Sequence, residues 1–132
     1  MPSQVMLRET LQVGTRTVFE SSSPTAQFAV VFEDDGETGY FYGLDQDNKQ
    51  QPILDALYIY DVNRVADRDE PSTLEIVWSD DGLKACLVIN NFPHAVFDFQ
   101  NSKAYCRNNF PPPNGQFTDS HEWNDIALDL FN

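Results

Sequence analysis

The residues able to do chemistry are few and badly spaced for it. Two His and two Cys are present. Cys86, His94, Cys106 and His121 follow no metal-ligand spacing, so no zinc site is expected. No GxSxG, HExxH, P-loop or CxxC occurs, and His121-Glu122 lacks a second His four residues on. Glu33, Asp34, Asp35 and Glu37 crowd together without the DxDxDG loop and distal Glu of a calcium hand, so an acidic hairpin tip is the simpler reading. His94 and Asp98 share a strand face. They lie roughly 13 Å apart, because each strand residue rises about 3.3 Å, and cannot form a dyad. An Asp98–Arg107 pair across the Gln100-Asn101 turn would be structural. No catalytic residue, metal or cofactor is therefore expected, and the candidate sites are binding sites.

Two such sites are nominated. One is acidic: the tips at Asp34, Asp35 and Glu37 and at Asp80 and Asp81, facing a basic protein. The other is a pocket against the sheet, lined by Tyr40, Tyr42, His94 and Trp123, for a small molecule or an enzyme's substrate. Tyr40, Tyr42, Tyr58 and Tyr60 are amphipathic aromatics of the kind enriched at interfaces. They equally suit a sheet face beneath a covering element.

The elements that must position these residues centre on Leu74 to Phe99. Three apolar runs there are divided by Ser79-Asp80-Asp81-Gly82 and Asn90-Asn91-Phe92-Pro93. That is an antiparallel meander, with Gly82 supplying the turn's positive φ. Leu83, Ala85, Leu87 and Ile89 alternate with Lys84, Cys86, Val88 and Asn90, and most of both sets is apolar. Such a strand needs cover on both sides and belongs mid-sheet.

Upstream, Val5 to Val13 fits a strand or a short helix. Thr15 to Glu20 and Gln27 to Glu33 read as strands. Asp34-Asp35-Gly36 turns into Thr38 to Asp45, where Gly39 and Gly43 leave gaps for a ring or a ligand. Ile53 to Val62 fits helix or strand, its aromatic and β-branched residues favouring the strand. Ser102 to Arg107 makes one more strand. Asp119 to Phe131 reads as a closing helix, with Asp119 and Glu122 at capping-box spacing. Its apolar stripe of Trp123, Ile126, Ala127 and Leu130 would sit on the sheet.

The chain of 132 residues, 41% of them hydrophobic, suits a single domain, 1–132, with a real core. No apolar run approaches the length of a membrane span, and no signal peptide is expected. Two thiols make no disulfide framework, so reduced cysteines in the cytoplasm are expected. The net charge of −13 is concentrated between Glu33 and Asp81. It would repel nucleic acid and anionic membrane and admits a basic protein.

Several stretches together carry a resemblance: FEDDGETGYFYGLD from Phe32, ILDALYIYDV from Ile53, WSDDGLKACLVIN from Trp78, PHAVFDF from Pro93 and YCRNNFPPP from Tyr105. They resemble a small bacterial family of domains of unknown function, over about Phe28 to the C-terminus. The resemblance implies a bacterial, cytoplasmic, stand-alone domain and brings no catalytic residues to carry over.

The expected fold is α+β: one twisted antiparallel meander sheet of six to eight strands, with the C-terminal helix packed on one face. The expected function is a non-catalytic binding module with an acidic surface for a basic protein. A toxin-neutralising immunity protein would be one version. The alternative is the pocket-bearing binding protein or enzyme, and a third role is homodimer formation along a sheet edge.

Overall fold

A computed structural model describes residues 3–66, 68–107, 122–129 and 131. The strands are β1 (Ser3–Leu11), β2 (Thr17–Ser22), β3 (Phe28–Asp34), β4 (Thr38–Asp45), β5 (Ile53–Asp61), β6 (Ser72–Ser79), β7 (Lys84–Ile89), β8 (Phe92–Asp98) and β9 (Lys103–Cys106). They form two antiparallel sheets, β1-β6-β7-β8-β9 and β2-β3-β4-β5. The Leu74–Phe99 meander is the middle of the first, and β7 is buried on both faces as its two apolar sets require. Val5 to Val13 and Ile53 to Val62, each open to two readings, are strands.

The expected α+β architecture does not hold. The inner face of the five-stranded sheet is covered by the four-stranded sheet, not by a helix. Leu74, Ile76, Trp78, Leu87 and Phe97 of one share a core with Val30, Phe32, Phe41 and Leu57 of the other. Phe97 packs 5.2 Å from Phe41, and Phe28 stacks on Phe99 at 4.5 Å, ring centre to ring centre. Gly43 is where β4 meets that ring: a Cβ there would lie 3.1 Å from Phe97. Buried Trp78 donates its indole N–H to Ser21 Oγ across the two layers, at 2.9 Å. A period-two strand looks the same whatever covers it, so the alternation carried the sheet and not the identity of its cover.

The closing helix shrinks to one described turn, α1 (Ile126–Asp129). Asp119 and Leu130, and so the capping box and part of the stripe, lie outside the described residues. Ile126, expected in the stripe, is 59% exposed. Ala127 and Phe131 are buried against Cys86 and Val96 on the outer face of the five-stranded sheet, with Trp123 partly buried beside them.

Both hairpin glycines adopt the expected left-handed backbone, Gly36 at φ 97° and Gly82 at φ 70°. Asn90 and Asn91 are also left-handed, at 52° and 66°, the pair of positive φ values a type I′ turn demands.

Candidate functional site

The acidic tips are not one surface. The β6–β7 turn meets the β2–β3 loop: Ser23 Oγ donates to Gly82 O and Thr25 Oγ1 to Asp81 O. The β3–β4 turn lies at the other end of β3, seven residues on, which is roughly 20 Å of strand. The two tips therefore stand at opposite ends of β3.

Nor are the acids alike. Asp34 is 1% exposed and lies inside. Its Oδ2 accepts from Gly14 N–H at 2.8 Å and from Tyr60 OH at 2.6 Å, and its Oδ1 from Gly36 N–H at 2.8 Å. It joins the β1–β2 loop, the hairpin and β5. Asp35 and Glu37 are exposed. The backbone N–H groups of Glu37 and Thr38 hold the Asp35 carboxyl below its usual range. Asp80 is exposed, while Asp81 is paired with Lys84 Nζ at 3.0 Å. Burial raises the Asp81 carboxyl, but hydrogen bonds from Ser79, Leu83 N–H and Lys84 outweigh it and hold it low.

The four nominated pocket residues fall on two opposite faces. Tyr40 and Tyr42 point outward from the four-stranded sheet, because Phe41 between them is core. His94 and Trp123 lie on the outer side of the other sheet, beside Arg107. The sandwich core separates the pairs, and no shared pocket forms.

Around His94 the geometry is built on Arg107. Its guanidinium lies over the Trp123 ring at 3.8 Å and the Phe92 ring at 4.5 Å, and its Nε donates to Pro93 O at 3.0 Å. The β8–β9 register sets Asp98 against Lys103 and Ala95 against Cys106. Arg107 is thus at the far end of the hairpin from Asp98, and the Asp98–Arg107 pair does not form. Asp98 instead accepts from Asn101 N–H and Nδ2.

Burial, then the Arg107 charge, pushes His94 down from 6.5 to about 4. The unfolded chain takes up that proton near the ordinary value, the folded chain only near the lower one. The contribution to stability is therefore whole above the ordinary value and is lost as pH falls toward 4. We expect a loss of about 2 kcal/mol over that window, discounted for the exposed part of the ring. Urea melts at pH 7 and 4.5 check it: His94→Phe should flatten the difference, and equal losses in both proteins would contradict the placement.

The cysteines cannot meet. Cys86 faces outward, with Val96 and Ala127, while Cys106 faces the inner core and donates to Tyr58 O at 3.1 Å. Both are free thiols, and burial pushes Cys86 up to about 12. Among the described residues no group of three or more His, Cys, Asp or Glu is placed to hold a metal ion, and His121 is not among them. No described helix is long and apolar enough to cross a membrane.

What the structure does assemble is an aromatic, acidic outer face on the four-stranded sheet. Tyr40 lies opposite Tyr58, Tyr42 opposite Val31 and Ala56, and Glu33 opposite Val18 and Tyr40. Glu20 completes the row on β2. Val18 is 62% exposed, and the three tyrosines are partly exposed. The charged strand residues of this face, Glu20, Glu33 and, at the end of β5, Asp61, are acids. Tyr42 OH donates to Glu33 Oε1 at 3.1 Å. Burial, then that carboxylate, pushes the Tyr42 phenol up to about 12. A cleft of about 300 Å³ continues from Val18 and Glu33 to Arg16, Thr17 and Asp35.

Tyr60 does not belong to this face. A bulge skips Ile59, so Tyr60 pairs with Gly39 on the inner side and lays its ring where a Cβ would be. Sequence alternation grouped four tyrosines; the bulge, which carries no sequence mark, removes one. The gaps at Gly39 and Gly43 are each filled by an aromatic ring. Glu33 and Val18 also belong to the face; their alternating positions in readable strands are the sequence signal for it.

Comparison with known proteins gives a family. Residues 11–132 match the family described as "Uncharacterized protein conserved in bacteria (DUF2251)". An "Uncharacterized protein" of Haemophilus influenzae is 46% identical over 114 residues, covering 86% of this chain and 67% of that protein. No solved structure matches the chain.

Proposed function

We propose, for a chain that belongs to this family of uncharacterised bacterial proteins, that it is a non-catalytic cytoplasmic binding module whose partner is a basic protein. The observation that carries this is the outer face of the four-stranded sheet. It is aromatic, partly exposed and acidic at its charged strand positions, on a chain of net charge −13. Tyrosines give contact area at low entropic cost, and the acids steer a cationic partner toward them. The described histidine and thiols support a non-catalytic role. His94 packs edge-on against Phe92, and Cys86 stays protonated at neutral pH. The free thiols suit a reducing compartment. An inhibitor that neutralises a basic toxin would be one such module.

Affinity capture from bacterial lysate at 50 mM salt, eluted by a salt step, tests the reading. A stoichiometric basic protein in the eluate is expected, and its affinity should fall about tenfold or more by 300 mM. An empty eluate from folded protein, or binding indifferent to salt, would count against it.

A further inference from the structure

We propose that Tyr40, Tyr42, Tyr58 and Glu33 form the seat for an arginine side chain presented by the basic partner. The inference rests on the binding role argued above and adds its chemistry. Tyr40 and Tyr42 lie side by side, ring centres 6.0 Å apart and 23° from parallel. Tyr58 stands against Tyr40 at 6.0 Å and 82°, a wall beside a floor. Glu33 is the cross-strand neighbour of Tyr40, and its Oε1 takes the Tyr42 hydroxyl. A carboxylate is thereby fixed beside ring faces that attract a cation within about 6 Å of their centres. A guanidinium suits this better than an ammonium, since it stacks flat while its fork of donors reaches the carboxylate.

The same chain holds its own Arg107 in that manner, between Phe92 and Trp123. Charge argues for a basic partner over a second copy. Glu20 and Glu33 would face the same acids in a dimer, on a chain with 21 acidic residues and 8 basic ones. The bases flanking the face stand outside its strands, Arg16 in the β1–β2 loop and Arg64 in the short 3-10 helix Val62–Arg64 after β5.

The test uses the full chain and a nine-residue peptide with three arginines, beside a twin in which citrulline replaces each arginine. Calorimetry at low salt and ring-proton NMR read binding. The arginine peptide should bind and shift the Tyr40, Tyr42 and Tyr58 resonances, and the citrulline peptide should do neither. Tyr40→Leu, Tyr58→Leu and Glu33→Gln should each weaken binding about fivefold or more, with Tyr40→Phe retaining it and Asp80→Asn without effect. Circular dichroism melts confirm that each variant folds. Leucine variants that bind as the wild type does would overturn the arginine seat and leave the acidic module standing. A wild-type chain that binds no cationic probe overturns both. A dimer by light scattering that Tyr40→Leu dissolves would assign the face to a second copy and overturn the seat.

Discussion

Asp34→Ala will destabilise the protein by about 3 kcal/mol or more, since it strands buried donors that each gave a charge-assisted hydrogen bond worth about 1.5–3 kcal/mol. The donors are Gly14 N–H, Gly36 N–H and Tyr60 OH, and the site is 1% exposed. A water entering the vacated space would return only part of those hydrogen bonds. Asp34→Asn keeps the shape but, whichever way the amide is turned, sets its N–H₂ against one backbone donor, Gly14 N–H or Gly36 N–H, so it will recover only part of the loss. Asp80→Ala, on an exposed turn, should stay within about 0.5 kcal/mol. Urea melts followed by circular dichroism read all three. If Asp34→Ala and Asp80→Ala melted alike, Asp34 would be a surface acid after all.

Trp78→Ala is the second large effect, at about 4 kcal/mol. That is the usual range for truncating a fully buried aromatic that leaves a cavity. Trp78 is 0% exposed, stacks 6.0 Å from Phe99 and donates to Ser21 on the facing sheet. Trp78→Phe restores most of the packing and loses the hydrogen bond, so about 1–2 kcal/mol should remain. Ser21→Ala removes the acceptor and leaves the indole N–H buried without one, so it should cost about as much as Trp78→Phe. A small effect of Ser21→Ala beside a large one of Trp78→Ala would contradict the contact between the layers.

These two sites show what was legible in the sequence. Strands were legible wherever alternation and turn glycines agreed, as around Gly36 and Gly82. Trp78 was assigned to an apolar face, but nothing in its own strand says that the facing layer is a sheet carrying Ser21. The choice between helix and sheet as the cover lies in long-range pairing, which local periodicity does not encode. Asp34 and Asp35 are adjacent and chemically identical. Only the closure of Gly14 and Tyr60 around the first makes it structural and leaves the second in solvent. Among the tyrosines, Tyr40 and Tyr42 were legible as a pair, whereas the bulge at Ile59 sets Tyr60 apart from Tyr58. His94 and Trp123, nominated with the tyrosines, sit on the far side of a core that no spacing rule reveals. Trp123, Ile126 and Ala127 fit a helical stripe in the sequence, yet Ile126 faces solvent and the described residues there hold one helical turn.

A basic partner should dock on the outer face of the four-stranded sheet, and amide NMR locates it. The isotope-labelled protein is titrated with the basic partner captured at low salt, and the backbone amide shifts are mapped residue by residue. The perturbed amides should cluster on Val18 to Glu20, Val31 to Glu33, Tyr40 to Tyr42 and Ala56 to Tyr58. Perturbations confined to the Asp80–Gly82 turn, or to the Phe92, Arg107 and Trp123 side, would contradict it.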